Sequence, residues 1–471
     1  MQNTTHHRQG RRPSRARRRA VALAGGAALL AALTGLAPQA ASAADQVPDG
    51  LFGSGDPQAD GVWRQSIALL AQHAVGATPA DEAVEWLAGQ QCADGSFLGY
   101  RADPSVPCED VSAADSNATA LAAQALAALG GHDDAVDAAL TWLTGVQNAD
   151  GGWSYNPGMA SDTNSTAVVI GAFVSAGEDP AEVVRDDHSP YDALGALQLG
   201  CDAAEDQRGS FAWQPDAETG ALTGNASATA DAVLALYGAG LLVSPDAEEA
   251  APAEALDCGT QEEDDTSGTE TGDTGTEDTE GGDTEEGTPT DGATDPADGT
   301  AEEVPAHITA ASAGSAQLTA LLTANDQHLV STLPGSADAE QPDYGTTVKT
   351  VLALAAGGHR DAAGAPLTWL RENAAAWPDL QASPSALGLL ILAAHATDTS
   401  ATDFGGTDLV AALNELGPTP ESGAASGDEE EDSDTLATVI GGIVGAVVVL
   451  GLLAVAGGVV RRRRSHEDGN A

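Results

Sequence analysis

The strongest constraint on the fold is a phrase that the chain writes twice. Trp86-Leu87-Ala88-Gly89-Gln90-Gln91-Cys92-Ala93-Asp94-Gly95-Ser96-Phe97 and Trp142-Leu143-Thr144-Gly145-Val146-Gln147-Asn148-Ala149-Asp150-Gly151-Gly152-Trp153 share their spacing, 56 positions apart. A looser copy runs from Leu194 through Gln198 to Gly209-Ser210-Phe211. Such repetition implies one small unit stacked on itself, each copy covering the apolar face its neighbour leaves open.

A second phrase precedes Ala/Leu-rich runs: Asp115-Ser-Asn117-Ala-Thr119, Asp162-Thr-Asn164-Ser-Thr166, Asn225-Ala-Ser227-Ala-Thr229 and Asp343-Tyr344-Gly345-Thr-Thr347. Ser66 and Ser385 hold the corresponding place in two degenerate copies. Asp, Asn, Ser and Thr start helices by capping exposed N–H groups, and a glycine after each run stops it. The spacing predicts helices near 62–74 and 80–91, 115–129 and 134–147, 162–177 and 188–198, 224–241 and 311–325, 344–357 and 363–374, and 383–396 and 407–416. No segment alternates with period two for long enough to demand a sheet. The expectation is an all-α domain of about six helix pairs over 58–416, preceded by a short leader, 44–57.

Residues 259–304 interrupt this domain with Thr, Gly, Asp and Glu and no cation or aromatic residue. Such a stretch buries too little apolar surface to offset ordering entropy. It is expected to be a disordered acidic insertion that lengthens the connection within the fourth pair, at modest closure cost.

The two ends carry their own signals. Basic Arg17–Arg19, apolar Ala20–Leu36 and the small residues Ala41-Ser42-Ala43 predict a signal peptide over 1–43. At the other end, Leu436–Val460 is uncharged and mostly apolar, long enough for ~30 Å of hydrocarbon. The expected order is an acidic spacer at 417–434, a transmembrane helix at 435–460 and a cytoplasmic tail at 461–471. Arg461–Arg464 would stay inside and leave the helical domain outside the cell.

The formal charge is −53, and only seven of the 18 Lys and Arg residues lie between the basic runs at the two ends. A body this poor in cations cannot neutralise phosphates, so nucleic acid is excluded as a partner. Four cysteines, Cys92, Cys108, Cys201 and Cys258, suit an oxidising exterior. Three pairings are possible, and proximity in sequence favours Cys92–Cys108 with Cys201–Cys258.

The Trp/Phe-Leu-x3-Gln-x3-Gly-x-Trp/Phe pattern at 86–97 and 142–153 resembles the QW motif of squalene and terpene cyclases and the repeats of protein prenyltransferase β subunits. The resemblance covers most of 58–416 and implies an α/α toroid, inner and outer helices around a central cavity. It also implies structural roles for Trp86, Gln91, Gly95, Phe97, Trp142, Gln147, Gly151, Trp153, Gln198, Gly209 and Phe211. The glutamines would tie adjacent helix ends together over the buried aromatic rings.

The catalytic features of that family do not carry over. Where cyclases use Asp-x-Asp-Asp-Thr-Ala, this chain reads Asp162-Thr163-Asn164-Ser165-Thr166-Ala167, with an amide and a hydroxyl in place of two carboxylates. The histidines form no zinc-ligand pattern, and almost no cations stand ready for a diphosphate. Secreted cobalamin carriers share the helical ring and bind without catalysis.

The expectation is therefore an exported, membrane-anchored binder or adaptor that requires no cofactor. It would capture a small molecule, with cobalamin a candidate cargo, for a membrane transporter. The alternative is a cyclase- or prenyltransferase-like enzyme acting on an isoprenoid lipid. The candidate ligand-binding residues are the polar groups at the inner-helix starts: Asp115, Asn117, Asp162, Asn164, Asn225, Ser227, Asp343 and Tyr344. No catalytic or metal-binding residue is assigned.

Overall fold

The computed structural model describes residues 48–108, 113–259, 304–332 and 340–421. The expected signal peptide, membrane helix and tail lie outside the described residues, as do nearly all of the acidic insertion and of the spacer. Among the described residues, no helix is long and apolar enough to cross a membrane.

The described chain is predominantly helical. Its elements are α1 (Pro57–Ala74), α2 (Asp81–Gly89), α3 (Ser116–Leu129), α4 (Asp133–Gly145), α5 (Thr163–Ser175), α6 (Pro190–Gly195), α7 (Ala226–Leu236), α8 (Ala306–Ala324), α9 (Tyr344–Ala356), α10 (Arg360–Asn373), α11 (Pro384–Ala396) and α12 (Leu409–Asn414). The odd-numbered helices pack in succession, α1 on α3, α3 on α5 and onward to α11, and α11 returns to α1. Six helices thus close a ring, and each even-numbered helix lies against the odd one before it.

Residue pattern separates the two sets. In α3 the positions Ala118–Leu126 are buried without a break, whereas α4 buries Val136, Ala139, Leu140 and Leu143. A helix apolar all round belongs inside, and one with an apolar stripe belongs at the surface. Alanine dominates α3 because each inner helix packs on two inner neighbours as well as its outer partner.

The repeated phrases form one interlocking joint. Gln91 Nε2 donates to the Gly95 carbonyl (3.1 Å) and to Ala135 in the first turn of α4 (2.8 Å). Gln147 does the same to Gly151 (2.8 Å) and Val183 (2.9 Å). Gln198 reaches Gly209 (3.2 Å) and Ala310 of α8 (2.9 Å). Each amide therefore links the end of one outer helix to the segment entering or beginning the next.

Gly95 and Gly151 have φ of +94° and +83°, and a Cβ on either would strike a backbone carbonyl, of Ala138 or Ser189. Beneath these turns Phe97, Trp153 and Phe211 are fully buried, each such side chain contributing roughly 1.5–3 kcal/mol. Trp86 and Trp142 pack at the edge of the core.

The second phrase supplies the other half of the joint. The N–H groups of Phe97, Trp153, Phe211 and Leu329 donate to the hydroxyls of Thr119, Thr166, Thr229 and Thr347 at 2.8, 3.0, 2.9 and 3.0 Å. The carbonyls of the same four residues accept the N–H of Asp115, Asp162, Asn225 and Asp343.

Several expectations need correction. Residues 48–56 are not a leader: Asp49-Gly50-Leu51-Phe52 builds another copy of the turn, with Phe52 fully buried. Here Gln65 of α1 supplies the amide, donating to Gly50 and to Ala83 of α2, both at 2.8 Å, and accepting the Phe52 N–H at 2.9 Å. The Gly53 N–H donates to Leu416 beyond α12 (2.7 Å), and Gly417 packs on the Phe52 ring. The beginning and end of the domain thus meet in one joint, so the first residues of the expected spacer belong to the fold.

Pro57 starts α1 earlier than expected, with a kink at Asp60. The helix expected over 188–198 shrinks to α6, because Ser189 and Pro190 start it and Gln198 must turn to bridge Phe211. A small antiparallel pair, β1 (Val330–Thr332) and β2 (Glu340–Pro342), lies where no sheet was expected. Three residues per strand are too few for period-two alternation to register.

Cys92–Cys108 and Cys201–Cys258 are disulfide-bonded. The second anchors a strap, residues 239–258, that crosses the C-terminal ends of the inner helices. Leu241 bonds to Gln124, Ala250 to Gly357 and Glu254 to Ser312.

Replacing Gln147 with alanine strands the Gly151 and Val183 carbonyls and is expected to cost about 1–3 kcal/mol. Exchange of the solvent-exposed Gln381 for alanine is the control. Loop closure over 57 residues makes loss of Cys201–Cys258 worth about 4 kcal/mol, against about 3 kcal/mol over 16 residues for Cys92–Cys108. Denaturant unfolding of the glutamine and paired-serine variants measures both.

Candidate functional site

The joint fixes the rotation of α1, α3, α5, α7 and α9, and hence which of their side chains face the ring's interior. Counting the cap residue as zero, positions two and six lie one turn apart on one helix face. In α3, α5, α7, α9 and α11 the earlier position holds Asn117, Asn164, Ser227, Gly345 and Ser385. The later position holds Leu121, Val168, Asp231, Lys349 and Leu389. Through the Phe52–Gln65 bond, α1 contributes Trp63 and Ile67 at the same levels.

A cavity of about 250 Å³ occupies this interior. Its lining includes Trp63, Asn117, Asn164, Val168, Asp231, Lys349 and Leu389, so all six inner helices contribute. Gln124 and the Ala239–Leu241 turn form its floor. Gln124 Nε2 donates to the Val168 carbonyl (3.0 Å), and its Oε1 accepts the Leu241 N–H (3.0 Å). Beyond this floor a second space, about 370 Å³, opens among the C-terminal ends of α3, α5 and α9.

The cavity wall is chemically uneven. Trp63 and Leu389 make one side apolar, with Leu234 adding to the lining. On the α7 and α9 part of the lining Lys349 Nζ donates to Asp231 Oδ2 (2.8 Å) and to Ser227 Oγ (3.3 Å). The Asn164 amide also donates to Asp231 Oδ2. Lys349 is the chain's only lysine, and it and Asp231 retain 28% and 17% side-chain exposure. Asn117 Oδ1 and Ser385 Oγ are buried with no hydrogen-bond partner among the described residues.

The eight sequence candidates divide. Asn117 and Asn164 line the cavity, and Ser227 reaches it through Lys349. Asp115, Asp162, Asn225 and Asp343 cap helices, accepting N–H groups two or three residues on at 2.8–2.9 Å. Tyr344 is absent from the lining and stacks on Trp377 and against Trp369, ring centroids 5.3 Å away in each case.

Asp231 and Lys349 were not singled out from sequence. Both follow a cap residue by six positions, Asn225 and Asp343, so extending the repeat by one helical turn would have found them. Trp63 was hidden because its helix lacks the cap phrase.

Outside the cavity, the Tyr237 hydroxyl lies 2.9 Å from His359 Nε2 and 3.2 Å from Ser315 Oγ, while His359 Nδ1 is 3.6 Å from Glu249. Burial lowers the His359 pKa, against the pull of Glu249. Among the described residues, no group of His, Cys, Asp and Glu is arranged to hold a metal ion.

Two caps are electrostatically costly. Burial raises the Asp115 carboxyl above its ordinary value despite N–H bonds from Ala118 and Asn117 and a phenol bond from Tyr155. It raises Asp162 likewise, against bonds from Ser165 and the Trp213 indole. The Tyr155 phenol is pushed up to about 12 by burial and by Asp115, although the residue is half-exposed.

No protein-family model matches this chain, and no curated protein is significantly similar to it.

The raised carboxyls have a signed consequence. A folded state that holds a proton more tightly than the unfolded chain gains stability below the unfolded pKa, near 3.8 for aspartate. That gain is lost as pH rises through the higher folded value. Asparagine, the natural cap at position 225, has no such dependence. The D115N/D162N variant is expected to match or exceed the parent at pH 7 and to lose that advantage below pH ~4, whereas D162A loses about 1 kcal/mol with the cap. Denaturation at pH 3 and pH 7 checks both the sign and the cap.

Proposed function

We propose that this chain is a non-catalytic, small-molecule-binding α/α toroid of six helix pairs, related in architecture to the cyclase and prenyltransferase repeat proteins. It would be exported and held at the cell surface by the apolar segment 435–460. The central cavity is the binding site, and its cargo would pass to a membrane transporter.

The observation that carries this reading is the central cavity with its chemically uneven lining. Ligand sites are mostly apolar concavities with a few convergent polar groups. Here apolar lining at Trp63 and Leu389 shares one cavity with the Lys349–Asp231 pair, and the Asn117 oxygen, without a partner among the described residues, adds a hydrogen-bond acceptor. An unmet buried polar atom costs roughly 1–3 kcal/mol, which a bound donor would recover.

The same features weigh against an isoprenoid cyclase. Only Trp63 supplies an aromatic ring to the lining, too little π surface to cradle a migrating cation. The one carboxylate there, Asp231, is tied to an ammonium and an amide. Volume argues about cargo too. A space near 250 Å³ suits a compact molecule, and a corrin ring would have to lie across the mouth instead. Two disulfides accord with an oxidising exterior.

The full-length chain, purified without denaturation, is expected to carry a compact ligand in native mass spectra. Val168→Trp fills the cavity from the middle of α5 without touching a joint, and it should lower occupancy at least tenfold while leaving the helical circular dichroism spectrum unchanged. Occupancy unaffected by V168W would place binding elsewhere, and turnover of squalene or a prenyl diphosphate would replace this reading with the enzymatic one.

A further inference from the structure

We propose that the cavity recognises a small zwitterion, an ammonium and a carboxylate on one compact molecule with an apolar side chain, as in a free apolar α-amino acid. This rests on the cavity being the binding site and adds the class of ligand it takes.

The inference comes from counting open valences. A lysine ammonium has three donors; Lys349 uses one on Asp231 Oδ2 and one on Ser227 Oγ, which leaves one. Both the Lys349 and the Asn164 bonds to Asp231 fall on Oδ2, so Oδ1 has no partner among the described residues. The pair therefore offers an anion one charged donor and a cation one charged acceptor, side by side. A ligand with a single charge would satisfy one of these groups and leave the other without a partner.

A pair serving only to join α7 to α9 would be expected to close its valences. This one faces a cavity, keeps partial exposure on both members, and holds the only lysine in a chain of net charge −53. The apolar lining sets the rest of the ligand. Trp63 and Leu389 present apolar surface, and α3, which flanks α1, adds Asn117 Oδ1, without a partner among the described residues. A void of about 150 Å³ takes benzene. The larger volume here, about 250 Å³, leaves room for an aryl or branched alkyl group together with both charged groups.

The test is calorimetric titration of the full-length chain, freed of any retained ligand by dialysis, with L-phenylalanine and L-leucine. Parallel arms use their N-acetyl derivatives, which lack the ammonium, and their carboxamides, which lack the carboxylate. Binding of a parent amino acid, weakened at least tenfold in both derivatives, is expected.

Because Lys349 is the only lysine, an amine-reactive ester followed by peptide mass mapping locates the event: the parent amino acid should slow its labelling and the derivatives should not. D231N and K349M are expected to weaken the parent at least tenfold and to flatten the difference between parent and derivatives. The ligand arms decide the matter even if a variant fails to fold. Equal binding of a singly charged derivative, or no binding of either amino acid at millimolar concentration, overturns the proposal. If another molecule still occupies the cavity and is displaced by V168W, only the zwitterion assignment falls; if none does, the binding reading falls with it.

Discussion

Three of the inner helices, α3, α5 and α7, begin where a threonine hydroxyl meets the backbone of a buried aromatic turn. At Thr119, Thr166 and Thr229 the hydroxyl accepts the turn's N–H, and the turn's carbonyl accepts the N–H of the cap four residues earlier. Buried backbone groups must find partners, and this exchange satisfies the loop entering the helix and the helix end together. It also fixes the rotation of each helix about its own axis. The cavity follows from that: with the rotation set, side chains two and six residues past the cap, Asn117, Asn164, Val168, Asp231 and Lys349 among them, line the ring's interior.

Repetition of one joint need not make repetitive chemistry. Six helices present equivalent positions to the centre, yet α1 and α11 place Trp63 and Leu389 there while α7 and α9 place Asp231 and Lys349. The joint bears the folding constraint through Gln, Gly, Thr and the buried rings, so the inward positions are free to differ. A wall built this way can change its ligand preference one residue at a time without disturbing the scaffold.

Much of the architecture was legible because its constraints act over short distances in sequence. Caps, stops and the glutamine turns are local, and they gave the helix pairs nearly to their ends. What was missed was carried by contact between distant segments. Phe52 resembles Phe97 only when Gln65, thirteen residues later, is seen to take the place of a glutamine that precedes the turn elsewhere. Asp231 and Lys349 lie 118 positions apart, and nothing local marks them as partners. The cap phrase drew attention to Asp115, Asp162, Asn225 and Asp343, whose side chains serve the backbone, and away from the next turn, where the cavity chemistry sits.

The joint between Phe52 and the end of α12 gives the ring no structural first helix. Gly53 bonds to Leu416 across the seam much as neighbouring turns bond elsewhere in the chain, so order around the circle is independent of order along the chain. The architecture is in effect circularly permutable. A domain whose first and last described segments meet must also travel the whole circumference before its last helix finds its first, so closure makes the ring cooperative as a whole rather than pair by pair.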